Sequence, residues 1–366
     1  MNADYQPFAG LPRGRRVMVA FSGGVDSSIA AYLCQQAGME VRAVTMMLLG
    51  PDSASLSRAE QTAAQLGIPL DIIDLSEEFE QRVLRYTWTE YAAGRTPNPC
   101  AVCNPRFKFG RLMEFAIERD CSALVTGHYA QRICCPDGSV RLKKGICREK
   151  DQSYFLFGLN YEQLKFACFP LGGMEKNTVR AIASGLNLPS AEAKESQDAC
   201  FAPADGKNMA EMLRCRFKTA ARPGNFVDSS GKVLGRHIGI HAYTIGQRKG
   251  TNVALGRPAY VRSIRPATGE IVLTPDSSEL MSRQVRLSEA NLLNPDYEQK
   301  SEFRCEVKIR YRSPAVPALI RRTGEGCLLI FDQEQRAVTP GQAAVFYDGE
   351  NLIGGAWIQS ADAEWK

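Results

Sequence analysis

The chain is 366 residues long, 44% hydrophobic and 23% charged, with a net charge of +5. That length exceeds what one hydrophobic core usually serves, so two or three domains are expected. No apolar stretch is long enough to cross a bilayer, and residues 1–16 lack the apolar core of a secretory signal, so a cytoplasmic protein is expected. In a reducing compartment its twelve cysteines read as free thiols rather than a disulfide scaffold.

Residues 17–21 read as a strand and 28–37 as a helix, joined by Ser22-Gly23-Gly24-Val25-Asp26-Ser27-Ser28. A strand running through glycines into a helix makes a phosphate cradle: the backbone bends closely and the helix N–H groups face an anion. Ser22, Ser27 and Ser28 add hydroxyls, and Asp26 can hold the turn or a metal ion. The lysine of a Walker A loop and the Gly-x-Gly-x-x-Gly of a dinucleotide fingerprint are both absent. Ser-Gly-Gly-Val-Asp-Ser is instead the PP-loop pattern of ATP pyrophosphatases, which split ATP into AMP and pyrophosphate.

Strands at 41–48, 70–74 and 123–126 alternate with helices at 57–66, 77–91 and 107–119. A helix at 177–186 closes this half, followed by a loop at 191–203. Such alternation implies a doubly wound parallel sheet with ligands at the carboxyl ends of its strands. From residue 206 short β-rich runs take over, at 224–227, 233–235, 260–264 and 271–274. A second such block runs through 304–311, 318–321, 328–331, 343–346 and 352–358. The expected fold is α/β: a PP-loop domain at 1–205, a small central β-rich domain at 206–276, and a C-terminal antiparallel β-barrel at 277–366.

Two cysteine sites stand apart from packing cysteines such as Cys34. In Thr96-Pro97-Asn98-Pro99-Cys100-Ala101-Val102-Cys103-Asn104 the prolines are expected to lock an extended loop beside a helix N-terminus. That position favours the thiolate. Cys200 follows the polar run Lys194-Glu195-Ser196-Gln197-Asp198-Ala199. A lone Cys-x-x-Cys also serves zinc or redox pairs. However, Cys134-Cys135 lacks the spacing to complete a zinc set, and the pair at Cys100 sits between helices. Three thiols beside an ATP-activating loop suggest sulfur transfer. Arg141, Lys143, Lys144, Arg148 and Lys150 form one basic stretch. Arg304, Lys308, Arg310, Arg312, Arg321 and Arg322, interleaved with Phe303 and Tyr311, form another. Both read either as nucleic-acid surfaces or as solvated basic faces.

Taken together, these residues resemble the tRNA-specific 2-thiouridylase family over nearly the whole chain. The likeness is carried by the PP-loop, 94–99 with Cys103-Asn104, Lys108-Phe109, Thr126-Gly127-His128-Tyr129, 150–155, Cys200-Phe201, 244–250, Arg310-Tyr311-Arg312, 339–342 and 344–347. The resemblance implies an enzyme that adenylates the 2-oxygen of the tRNA wobble uridine with ATP and Mg²⁺, then replaces it with sulfur. It puts Ala20, Phe21, Ser22, Gly23, Gly24, Val25, Asp26 and Ser27 around ATP, with Met46 and Gly127 near the adenine. Asn98, Pro99 and Cys100 would lie where the target base is held. His128, Lys150, Asp151, Gln152, Arg310, Tyr311 and Gln342 match tRNA-contact positions, although His128 reads equally as a hydrogen-bonded loop histidine. The implied partners are the lysine, glutamate and glutamine tRNAs and a sulfur source. That source would be a cysteine desulfurase, a relay carrier or free sulfide, with no membrane involved.

In the family the cysteine matching Cys200 carries a persulfide and the one matching Cys103 is the nucleophile. The chain departs at Cys100, where the best-known members have aspartate. Cys100, Cys103 and Cys200 instead match related PP-loop tRNA thiolases that hold a 4Fe-4S cluster, in which one iron stays free for hydrosulfide. Both routes are open at this level. Two other functions are an amide-forming PP-loop ligase, for which no glutaminase domain is evident, and an RNA-binding protein whose loop is only structural.

Overall fold

The computed structural model describes residues 5–50, 53–191, 199–203, 208–253, 256, 258–324 and 326–362. Its first layer is a parallel sheet of β1 (Arg16–Ala20), β2 (Glu40–Met47), β3 (Leu70–Asp74), β4 (Leu124–Val125) and, after a hairpin of β5 (Ala130–Cys134) and β6 (Val140–Lys144), β7 (Ala167–Cys168). The strand order is β3-β2-β1-β4-β7. Successive residues of β1 point to opposite faces. Val17 and Val19 pack with Ala30, Cys34 and Ala63 of helices α1 (Val25–Gln36) and α2 (Ser53–Leu66), while Met18 packs with Leu112 and Ala116 behind the sheet. The order reverses between β1 and β4, so the loops leaving those strands open a crevice at the switch point.

The second sheet contains β8 (Gly224–Val227), β9 (Val233–His237), β10 (Tyr260–Arg265) and β11 (Glu270–Thr274), in the order β10-β11-β8-β9. The third comprises β12 (Met281–Leu292), β13 (Glu302–Lys308), β14 (Val316–Thr323), β15 (Gly326–Arg336), β16 (Ala343–Asp348) and β17 (Asn351–Ala361). Pairing of β12 with β17 closes these six strands into a barrel around Val285, Ile320, Leu329, Phe346 and Ile353. Doubly wound sheet and β-rich second half are as the sequence implies. Among the described residues no helix is long and apolar enough to cross a membrane.

Two local differences bear on the site. The β5–β6 hairpin, unassigned from sequence, pairs with β17 through Lys143 and Asn351 and so lengthens the barrel sheet. Its inward residues Ala130, Val140 and Leu142 share one core with Val345, Tyr347 and Leu352. The segment bearing Cys100 and Cys103 is helical rather than extended: a helix spans Pro99–Cys103 and continues through a wider turn at Asn104–Arg111 into Leu112–Ile117. The expectation of a stretched loop fails because Pro99 occupies the first helical position, where a missing N–H costs nothing. Asn98 caps it by accepting from the Ala101 N–H at 3.2 Å.

Candidate active site at the carboxyl edge of the parallel sheet

The loop leaving β1 is tied by its own serines. Ser27 Oγ accepts from the Ser22 N–H at 3.2 Å and donates to the Gly24 carbonyl at 3.0 Å. Ser28 Oγ donates to the same carbonyl at 2.9 Å. Gly23 has φ +68°, and a Cβ there would stand 2.7 Å from the Ala59 nitrogen, so α2 closes one side of the cradle. Gly127 closes the other, since its Cβ would meet the Asp26 backbone at 2.9 Å. Gly24 caps α1 without any side-chain hydrogen bond. Ala20 and Phe21 lead into the loop, and Thr45 Oγ1 donates to the Phe21 carbonyl at 2.5 Å. The Asp26 carboxylate accepts from Tyr129 Oη at 2.8 Å and from Lys176 Nζ at 2.7 Å. The loop is held rigidly between α2, Gly127 and its own serines.

The thiols lie at the same edge. Cys103 packs against a core of Phe79, Phe107 and Phe201 that also takes Ala199, Met46 at the carboxyl end of β2 and Leu48 just beyond it. Burial pushes the Cys103 thiol up to about 12; Lys108 opposes this, while Cys200 and Cys100 add to it. Cys200 is exposed at the surface, yet partial loss of water from its surroundings still raises its thiol, again against Lys108. Loss of water thus opposes the thiolate preference expected from the helix N-terminus. Cys103 and Cys200 nonetheless feel the same lysine, and Cys103 feels the other two sulfurs, so the three are neighbours. Among the described residues no three His, Cys, Asp or Glu side chains converge tightly enough to hold a metal ion. Lys194 to Asp198, the polar run before Cys200, lie outside the described residues.

The residues matched to tRNA contacts divide into interior and surface groups. His128 is buried, its Nδ1 lies 2.7 Å from Thr126 Oγ1, and burial beside Lys108 holds its pKa well below the usual value. Asp151 accepts from the N–H groups of Gly145 and Ser153 at 3.0 and 3.1 Å. Gln152 Oε1 accepts from the Tyr129 N–H at 3.1 Å. These three side chains hold turns. Lys150 lines a groove of about 220 Å³ with Cys147, Glu149, Glu175, Lys176 and Arg180.

Arg310, Tyr311 and Gln342 line a cavity of about 390 Å³ with Thr96, Thr244, Arg312 and Thr339, so each sheet's segment of the chain supplies a wall. Tyr311 packs tilted against Phe155 with ring centres 4.5 Å apart. Arg310 donates to Thr339 Oγ1 at 3.1 Å. Gln342 Nε2 donates to the carbonyls of Thr96 and Pro97 at 2.9 and 3.1 Å, and Thr96 Oγ1 lies 3.0 Å from Thr244 Oγ1. The barrel therefore grips the chain directly before Asn98 and Pro99. Much of the basic charge noted in the sequence is spent in ion pairs: Arg141 with Asp296, Arg148 with Glu350, Arg304 with Asp332 and Arg321 with Glu302. Sequence reasoning gave no role to Lys108 and Tyr129, which it noted only as motif residues, and missed Lys176 altogether. The PP-loop's lack of a lysine was the signal for seeking one elsewhere.

Residues 15–204 match a family model described as tRNA methyl transferase HUP domain. Residues 214–275 match its PRC-barrel domain, and 282–358 an aminomethyltransferase beta-barrel domain. Relatives spanning nearly the whole chain are named tRNA-specific 2-thiouridylase MnmA. One from Carboxydothermus hydrogenoformans is 40% identical over 360 residues, covering 94% of this chain and 98% of its own. One from Trichlorobacter lovleyi is 41% identical at the same coverages, and one from Clostridioides difficile is 38% identical over 95% and 99%. The two descriptions differ over the group transferred, and identity over almost the full length favours the second. Among solved structures, a 4-thiouridine synthetase–RNA complex with bound ATP is 19% identical, covers 57% of this chain and 52% of that one, and has a TM-score of 0.35.

Proposed function

The chain belongs to the tRNA-specific 2-thiouridylase family, and on that premise we propose that it replaces the 2-oxygen of the tRNA wobble uridine with sulfur at the expense of ATP. The observation that carries this reading is placement: the glycine-serine loop after β1 and Cys103, which packs on the same core cluster as Met46 at the end of β2, share one edge of the parallel sheet. The chemistry needs both. The uridine oxygen leaves as poorly as hydroxide, whose conjugate acid has a pKa of about 15.7. Transfer of AMP to it substitutes a phosphate-type leaving group with a relevant pKa of roughly 6. The loop from Ala20 to Ser27 would bind ATP with its Mg²⁺, and pyrophosphate leaves.

For the sulfur step, Cys200 as persulfide and Cys103 as nucleophile suit two thiols that feel one another and Lys108. The Cys103 thiolate attacks the inner sulfur of the Cys200 persulfide. A Cys103–Cys200 disulfide forms, hydrosulfide is released, and a cellular dithiol later reduces the disulfide. Hydrosulfide adds to the activated carbon, and AMP departs. In the cluster route Cys100, Cys103 and Cys200 would instead be the three ligands, and anaerobic purification yielding iron and acid-labile sulfide in comparable amounts would establish it. The cavity under Arg310, Tyr311 and Gln342 is proposed as tRNA surface, with action in the cytoplasm on the lysine, glutamate and glutamine acceptors.

The test is nucleoside mass spectrometry of tRNA incubated with the protein, MgATP and a persulfide donor. 2-Thiouridine at the wobble position is expected, and Cys103→Ala and Cys200→Ala should abolish it while leaving ATP binding largely unchanged. Pyrophosphate release dependent on ammonia and indifferent to tRNA would replace this reading with that of an amide-forming ligase.

A further inference from the structure

The phosphate loop carries no lysine, yet an ammonium group reaches into it. Lys176 opens the helix Lys176–Gly185, its side chain is 9% exposed, and its Nζ lies 2.7 and 2.9 Å from the two Asp26 carboxylate oxygens. Tyr129 holds the same carboxylate at 2.8 Å, and the ammonium stands 5.6 Å from the centre of that ring. Asp26 lies in the first turn of α1, and Gly127 presses against its backbone without room for a Cβ. The ammonium is therefore held at the mouth of the anion cradle, beside the groove that Lys150 and Arg180 also line.

Backbone N–H groups and a helix N-terminus supply only partial positive charge. The β- and γ-phosphates of ATP, and the pyrophosphate they become, need a full cation in most nucleotide sites. Here no loop lysine provides it. We propose that Lys176 is that cation: it rests on Asp26 in the empty enzyme and exchanges the carboxylate for the β,γ-phosphates when ATP binds. The exchange conserves charge, since Asp26 becomes available to the Mg²⁺ that accompanies the nucleotide. The inference rests on the ATP reading of the loop given above. The competing account is a plain tether between α1 and the Lys176 helix, whose apolar residues Val25, Ile29, Val179 and Ala183 already share a core.

Calorimetric titration of the full-length protein with MgATP and with AMP, omitting tRNA and sulfur donor, separates the two. AMP lacks the phosphates that Lys176 is assigned to hold. Lys176→Gln should weaken MgATP about 10- to 100-fold while leaving AMP within about twofold, the usual cost of losing one charged hydrogen-bond partner. Lys176→Arg should recover most of the loss. Equal weakening of both nucleotides, or unchanged MgATP affinity, overturns the assignment. Lys176→Met, which keeps the apolar stem, gives the same comparison if the glutamine variant does not fold. A wild-type protein that binds no ATP removes the loop reading and this assignment together. One that binds ATP but makes no 2-thiouridine removes only the sulfur-transfer reading.

Discussion

Cys103 stands early in a helical run, where the dipole favours an anion by about 0.3–1 kcal/mol, less than one pKa unit. Removal of water shifts a buried thiol by up to about 3–5 units in the opposite direction. Burial wins, and the resting thiol is pushed up to about 12. Alkylation of Cys103 by iodoacetamide, followed by peptide mass spectrometry, should therefore be slower than that of a free thiol and still climbing above pH 9, roughly the free-thiol range. A rate that levels off below neutrality would contradict this. His128 presents the mirror case, a base held neutral by burial. Its folded pKa lies below the unfolded value of about 6.5, so its stabilising contribution is complete above that pH and is lost as pH falls toward the folded value. The urea midpoint should drop between about pH 7 and pH 5, and His128→Asn should flatten that drop.

The helix Pro99–Cys103 depends on its flanks more than on its length. Five residues cannot sustain a helix alone. The Asn98 cap and the grip of Gln342 on Thr96 and Pro97 set where it begins. Asn98→Ala should cost about 1 kcal/mol in urea unfolding and speed amide exchange around Cys100 and Cys103. The phosphate loop is constrained in the same manner by its neighbours. Gly23→Ala must tolerate both a positive φ and a 2.7 Å approach to Ala59, so loss of ATP binding without loss of tRNA binding is expected. The β5–β6 hairpin carries a readable signal, Pro136-Asp137-Gly138-Ser139 between two β-prone runs. Which sheet it joins was not readable, because pairing with β17 spans about two hundred residues of chain.

The parallel-sheet domain and the barrel are not independent bodies. Tyr154 Oη donates to the Ala343 carbonyl at 3.0 Å, Ser153 Oγ meets Tyr347 Oη at 3.1 Å, and Asn291 Nδ2 donates to Phe157 and Leu159 at 2.6 and 2.7 Å. Leu142, Tyr154 and Phe157 share a core with Ala343, Val345 and Leu352. Uncovering three such side chains loses about 5–9 kcal/mol of burial, against a total stability of about 5–15 kcal/mol. A chain ending at residue 276 should therefore aggregate or melt far below the full-length protein, as read by size-exclusion chromatography and thermal denaturation. A soluble fragment of undiminished melting temperature would show that the shared core is dispensable.

Local pattern was enough to establish the alternation of strand and helix, the phosphate loop and the three cysteines worth watching, because strand period, glycine placement and loop chemistry are written in neighbouring residues. Tertiary structure alone decided that Cys100 and Cys103 ride a capped helix, that burial raises their neighbourhood's thiols, and that arginines at 141, 148, 304 and 321 are spent on ion pairs. It also brought Lys176 to Asp26 across 150 positions. Desolvation and ion pairing depend on which distant segments exclude water from a group, and no run of adjacent residues encodes that.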